Sequence, residues 1–260
     1  MMRSLNTSAT GMVAQQLNLD VIANNLANVN TTAFKHQRAE FQDLMYQTVQ
    51  AAGSFAGADQ KTPQALQIGL GTRNSATSAD FKQGAAMQTG QPTDLAIQGE
   101  GFFRVRLPNG SIGYTRDGSF TRNAEGALVN SSGNVLEPSF SIPPEAVVSI
   151  SEDGTVQATV PGQEPQDLAK ITLTTFPNAA GLTRLGGNLY QASAASGEGT
   201  DREPGVDGAG SILPGHLEGS NVQIVEEMVR MIQAQRAYEI NSKAIQTSDE
   251  MLNTMNGLKR

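Results

Sequence analysis

Apolar and polar positions follow two different rhythms along this chain. At both ends apolar residues recur at helical intervals through long stretches poor in glycine, whereas the interior alternates short apolar runs with Gly, Pro, Asn and Asp. The pattern predicts helical termini around a β-rich middle. Near the N-terminus Leu5, Met12, Leu19 and Leu26 form one row at seven-residue spacing, and Ser8, Gln15, Ile22 and Val29 form a mixed row three residues on. With Ser4 as N-cap and Asn24, Asn25, Asn28 and Asn30 at the exit, the first helix is expected over residues 5–28.

The C-terminal signal is stronger. Ser220-Asn221-Val222-Gln223 reads as a capping box, Glu226 and Glu227 sit near the positive end of the helix dipole, and Lys259 and Arg260 complement its negative end. Ile224, Met231, Tyr238, Ile245 and Leu252 recur every seven residues, the spacing of a coiled-coil seam. A helix over residues 221–256 is about 54 Å long at 1.5 Å per residue, too long to stand without a partner. Val222, Val225, Val229, Ile232 and Ile240 occupy a neighbouring face, and Ala237, Ala244, Met251 and Leu258 another. One partner helix does not cover all of these faces. Two arrangements remain open on periodicity alone: a single-chain hairpin whose leftover apolar residues rest on the β domain, or burial against other copies.

Between the ends, Phe34–Gln50 is compatible with a short helix and leads into an Ala/Gly-rich linker or extended arm. From Leu66 on, Asn109-Gly110, Asp117-Gly118, Glu125-Gly126, Ser132-Gly133 and Asp153-Gly154 separate short strand-like runs, as in the hairpins of an antiparallel sheet or barrel. A strand is expected over Lys170–Phe176 and a loop from Ala195 to Gly210. No helical stretch interrupts this region, which argues against a doubly wound nucleotide-binding fold. The fold class expected is α+β: long N- and C-terminal helices in a coiled-coil-like layer, with a central antiparallel β-rich domain.

Composition narrows the function. The charged fraction is 17% and glycine numbers 27 in 260 residues, so the chain is glycine-rich and charge-poor, yet its hydrophobic fraction of 38% is too high for wholesale disorder. Residues 1–35 carry only Arg3, Asp20 and Lys35 as charged side chains. A net charge of −7 without any Lys/Arg block argues against nucleic acid and anionic membranes as partners. No apolar run is long enough for membrane insertion or a general secretion signal, so a soluble chain is expected. With no cysteine there are no disulfides, thiolate nucleophiles or zinc-thiolate sites.

Candidate chemistry is sparse. The two histidines, His36 and His216, sit at segment junctions and read as solvated side chains. Gly99-Glu100-Gly101 precedes Phe102-Phe103 rather than a helix, so it reads as a bend into a strand and not as a phosphate cradle. Asp117-Gly118 and Asp153-Gly154 lack the ligand alternation of a calcium loop. Glu226-Glu227 and Asp249-Glu250 are adjacent on a helix and point about 100° apart, unable to flank one scissile bond. No enzyme activity, cofactor or metal is expected.

Several stretches then resemble one family. NLDVIANNLANVNTTAFKHQRAEFQDLMYQ at 18–47 and EEMVRMIQAQRAYEINSKAIQTSDEMLNTM at 226–255 are similar to the terminal signatures of the flagellar rod and hook proteins. DLAIQGEGFFRV at 94–105 and YTRDGSFTRNAEGALVNSSGNVLEP at 114–138 resemble its β-domain motifs. Length, the QRAYEINSKAIQTSDEML ending and the segment Tyr46–Gln64 look most like the members that build the distal part of the rod. The resemblance implies a structural subunit of a helical homopolymer, exported through the flagellar type III apparatus, that transmits torque and forms part of the export channel. Implied partners are further copies, proximal rod proteins, hook protein, the surrounding P and L rings, the export apparatus and the rod cap; the implied location is the rod between periplasm and outer membrane. Residues 1–35 and 220–260 would form the inner helical layer, 36–70 a connecting arm with the rod-type segment, and 71–219 the outer β-rich domain. Self-assembly would rest on Leu5, Met12, Leu19, Ile22 and Leu26 together with Ile224, Met231, Tyr238, Ile245 and Leu252. A proximal rod or hook protein is the alternative within the family, and a β-domain binding module dimerised by its helices the alternative outside it.

Overall fold

The computed structural model describes residues 2–52, 64–143, 146–162 and 164–257. Residues 53–63 of the Tyr46–Gln64 segment, together with Leu258, Lys259 and Arg260, lie outside the described residues. The chain forms two compact units: residues 1–27, 37–78 and 223–260 in the first, residues 28–36 and 79–222 in the second.

The first unit is built on two helices, α1 (Met2–Ala27) and α2 (Ile224–Gly257). Gly11 faces Asn241 and Asn25 bonds Glu227, so each advance along α1 matches an equal retreat along α2 and the helices run antiparallel. A Cβ at position 11 would lie 3.0 Å from the Asn241 amide, which is why the backbones approach closely here. Ser4 lies inside α1 rather than capping it, because the helix already starts at Met2. The capping box also fails: Val222 donates to the Ser220 hydroxyl in a local turn, and the helix begins later, at Ile224.

Phe34–Gln50 is extended, not helical. Strand Gln37–Asp43 pairs with Thr72–Ala79, and Tyr46–Gln50 pairs antiparallel with Leu66–Gly69. Tertiary bonds decide this: Arg73 donates to Gln42, Ser78 donates to Glu40, and the Asn25 side chain both accepts from and donates to the backbone of Gln37. Local propensity yields to such pairing.

The second unit is β-rich. In its largest sheet the order is Thr183–Gly186, Leu189–Gln191, Ile112–Thr115, Phe102–Arg106, Val135–Glu137, Leu128–Val129 and Thr121–Arg122, with Leu173–Thr175 also pairing Phe102–Arg106 and Thr200–Arg202 beyond it. A three-stranded sheet spans Val147–Ile150, Thr155–Thr159 and Gln166–Lys170; two-stranded pairs join Leu95–Gln98 to Ser211–Pro214 and Ala86–Gln88 to His216–Glu218. Every pairing in this unit whose register is resolved is antiparallel. Lys170–Phe176 is therefore two strands with a break between them, and the Ala195–Gly210 loop holds a strand of its own.

The run Phe102–Arg106 shows how the alternation works. Phe103 and Val105 enter the main core with Leu95, Phe120, Leu136 and Leu173. Phe102 turns the other way, into a cluster where its ring meets Phe81, Phe176 and Tyr190 edge to face at 5.5–5.9 Å between centroids. Arg104 and Arg106 both pair with Glu137 across the strand interface, each at 2.7 Å. Among the described residues no helix is long and apolar enough to cross a membrane.

Turn chemistry follows the sequence at Asn109-Gly110, where Gly110 takes φ +81° with open space around it. Gly118 is glycine for another reason: a Cβ there would collide with the carbonyl oxygen of Leu95. Gly118→Ala is expected to destabilise the protein by about 1–3 kcal/mol through overpacking. Gly110→Ala, strained only by its backbone, is expected to cost about 1 kcal/mol. Urea unfolding followed by circular dichroism tests this; equal losses would contradict the close-approach explanation.

Candidate assembly face and unit junctions

The helical seam carries little bulk. The buried and partly buried positions of α2 include Glu227, Met231, Ala234, Asn241, Ile245, Ser248 and Leu252, at alternating steps of four and three with Tyr238 between. Four of these seven, Glu227, Ala234, Asn241 and Ser248, are small or polar. On α1 the corresponding buried side chains are Ala14, Val21, Ile22 and Asn25. Of the residues singled out from the sequence, Ile22 is buried, and Leu5, Met12, Leu19, Leu26, Met231, Ile245 and Leu252 are partly buried. Ile224 and Tyr238 are 48% and 40% exposed. The predicted row is thus divided between the seam and solvent.

Large apolar side chains instead crowd the open side of α2: Val225 is 75% exposed, with Met228, Val229, Ile232, Ile240 and Met251 all about half exposed or more; Met255, in the row of Ser248, is exposed too. The ribbon formed by Tyr46–Gln50 and Leu66–Gly69 is exposed as well, including Tyr46, Val49, Leu66 and Ile68. A two-stranded ribbon is marginally stable on its own. Large apolar side chains left exposed in such numbers mark an interaction face.

The chain passes between the two units after residues 27, 36, 78 and 222, and each unit ties its own side of these passages with buried polar groups. In the second unit Lys35, 1% exposed, donates to Glu218 at 2.6 Å and to the carbonyl of Lys82 at 2.7 Å. Arg116 donates to the other Glu218 oxygen at 2.9 Å, Gly84 donates from its backbone, and the Ala33 amide donates to the Glu218 carbonyl. Asn221 accepts from the His36 amide and donates to the carbonyls of Asp80 and Lys82. Three passages are thereby fastened to one another. In the first unit the fully buried Asn25 plays the same part, bonding Gln37 twice and Glu227 once.

Burial by itself would raise the Glu218 carboxyl, but Arg116 and Lys35, with the hydrogen bonds from Lys35 and Gly84, hold it below the ordinary glutamate range. Glu227 departs from the solvated charge expected beside Glu226: it is 1% exposed, bonded by Asn25 and paired with Arg230 at 3.3 Å. Glu218, Lys35, Arg116, Asn221 and Asn25 were not legible as a group. One signal existed for Glu227, since it shares a heptad row with Ala234, Asn241 and Ser248.

His36 and His216 are partly buried, the latter with Nδ1 2.9 Å from the carbonyl oxygen of Pro214. Gly99 and Gly101 take φ +118° and +139° and bend the chain into the strand at Phe102. Among the described residues there is no cluster of three or more His, Asp or Glu able to hold a metal ion.

Three family descriptions match the chain. They are the flagellar basal body rod FlgEFG protein C-terminal at residues 213–258, the flagellar hook protein FlgE/F/G D1 domain at 96–158, and the flagella basal body rod protein at 5–35. The flagellar basal-body rod protein FlgG of Borreliella burgdorferi is 50% identical over 264 residues, covering all of both chains. The FlgG of Buchnera aphidicola subsp. Schizaphis graminum is 48% identical over 260 residues, 99% of this chain and all of that one. The flagellar hook protein FlgE of Helicobacter mustelae is 34% identical over 223 residues, 83% of this chain but 49% of the relative.

Glu218→Gln is expected to destabilise the protein by about 3–5 kcal/mol at neutral pH, because two buried cations lose their counter-charge. The pH dependence has a fixed sign. A carboxylate held below the ordinary 4.5 contributes stability fully above that value and loses it as pH falls through the lowered folded-state value. Urea midpoints measured between about pH 7 and pH 3 should fall on acidification, and fall less in Glu218→Gln. A variant with wild-type stability would remove this role.

Proposed function

Because the chain belongs to the family of flagellar basal-body rod proteins FlgG, structural subunits of the rod, we propose that it builds the distal rod by helical self-assembly through α1 and α2 and carries torque toward the hook. The observation that carries this reading is the distribution of bulk on α2. Small and polar groups fill much of the seam with α1, and the large apolar groups face outward, where other copies of the chain cover them. At about 0.8 kcal/mol per buried CH₂, many such contacts made at once resist slippage although each is weak.

In this arrangement the terminal segments, 1–35 and 220–260, form a coiled-coil-like inner layer around the export channel. Residues 36–70 form the arm, and residues 71–219 lie outside. Leu5, Met12, Leu19, Ile22, Leu26, Ile224, Met231, Tyr238, Ile245 and Leu252 contribute, the partly buried ones by holding the hairpin and the exposed ones by touching neighbours. Val225, Ile232 and Ile240 join them on grounds of exposure. Other rod and hook components are the assembly partners of the family. Proximal rod proteins and hook protein at its two ends, the P and L rings around it, and the type III export apparatus and rod cap during growth complete the proposed set. The rod would then run through the periplasm to the outer membrane.

A second reading, hook or proximal rod protein, has the hook-protein relative in its favour. The rod-type segment separates the two. Deleting residues 46–64 is expected to leave subunits that assemble into a bending polymer; a straight, rigid polymer seen by electron microscopy would contradict the distal-rod reading.

Val225→Asp with Ile240→Asp is expected to raise the concentration needed for polymerisation about a hundredfold or more, since two apolar side chains contribute about 3–6 kcal/mol on burial. Circular dichroism should be unchanged, because both positions face solvent in the free chain. Met231→Asp with Ile245→Asp should abolish polymerisation and also loosen the helical hairpin while the β-rich unit stays folded. Normal polymers by sedimentation from either double variant would overturn the assignment.

A further inference from the structure

The chain has nine methionines and neither cysteine nor tryptophan, so all of its sulfur is thioether. Four methionines lie on α2, and three of them are open to solvent in the free chain: Met228 is 52% exposed, Met251 57% and Met255 54%. They lie near the two ends of the same helix: Met228 and Met251 flank the face where Val225, Val229, Ile232 and Ile240 are uncovered, and Met255 continues the row of Asn241 and Ser248 where α1 no longer covers it. Met251 and Met255, one helical turn apart, also line a shallow hollow with Thr247, Glu250 and Thr254.

Thioethers suit an adaptable apolar contact because they are unbranched and polarisable. Exposure also makes them the accessible targets for an oxidant, and the sulfoxide that results is polar and branched. We propose that Met228, Met251 and Met255 form an oxidation-sensitive modification site that controls assembly: a peroxide oxidises them in the free subunit and prevents joining, whereas subunits already joined are protected. The sulfur lone pair attacks one peroxide oxygen, the S–O bond forms as the O–O bond breaks, sulfur is oxidised by two electrons and the peroxide is reduced to water. The inference rests on the reading that neighbouring copies bury the parts of α2 that α1 leaves uncovered. Its consequence is directional, because oxidant stops growth of a polymer without dismantling it.

The test uses full-length protein and hydrogen peroxide. Free subunits are treated, the oxidant is removed, sulfoxides are located by peptide mass spectrometry, and polymerisation is measured by sedimentation beside circular dichroism of the helices. Treated wild type is expected to need at least about a tenfold higher concentration to polymerise with its helix signal retained. The triple variant Met228→Leu, Met251→Leu, Met255→Leu should polymerise equally well before and after treatment, although Met45 and Met87, also exposed, are still oxidised in it. Polymer treated after assembly should remain unmodified at the three α2 positions. Full oxidation at those positions without change in polymerisation would overturn the proposal, as would an equal loss in the triple leucine variant. Untreated wild type that stays monomeric at every concentration, or polymer whose α2 methionines react as fast as in the free subunit, would instead overturn the assembly reading and this inference with it.

Discussion

The two helices meet through a seam that is too thin in apolar bulk to use what α2 carries. Gly11 against Asn241 brings the backbones close, and Asn25 against Glu227 closes the other end with a buried polar contact. Close packing on one side of α2 leaves Val225, Ile232 and Ile240 uncovered on the other. Burying such groups is the dominant favourable term in association. A chain with this distribution leaves large apolar groups of α2 open to solvent when it stands alone, and the proposed assembly rests on that imbalance more than on any single residue.

Buried charge is the second constraint. Lys35, Arg116 and Glu218 are almost completely excluded from water, and each finds partners among the segments that pass between the units. Removing charged groups from water is costly, so the arrangement is stable only with every partner in place. That makes it selective for one path of the chain: Ala33, Gly84 and Lys82 contribute backbone groups to the same cluster. Asn221 ties backbone groups in the same way, and Asn25 ties the backbone of Gln37 and the carboxylate of Glu227. The segments at these passages are fastened to each other and not merely to solvent-facing turns.

Much of this was legible beforehand. Both long helices, the antiparallel β-rich interior, the glycine turns and the family resemblance rest on local signals: periodicity of 3.6 or 2, turn dipeptides and short family-like motifs. The errors cluster where local signals compete. Ser4 and Ser220 have capping chemistry but do not start their helices. Phe34–Gln50 has no strong preference, and its strands form because Asn25, Arg73 and Ser78 supply partners from elsewhere in the chain. Glu227 looked like a dipole-compensating surface charge, and only the approach of Asn25 from the other helix makes it a buried one.

The amino-acid sequence by itself determined the two long terminal helices and the turn-punctuated extended interior, that no cysteine chemistry is available, and that α2 is apolar on more faces than one partner covers. Those properties are set by residues near one another in the chain. Only the tertiary structure decided which face of α2 meets α1, since several rows had similar apolar character and the choice depends on close approach at Gly11 and on the buried Asn25–Glu227 bond. It likewise assembled Lys35, Arg116 and Glu218, residues far apart in the chain, whose burial is tolerable only because folding brings opposite charges and hydrogen-bond partners to one place.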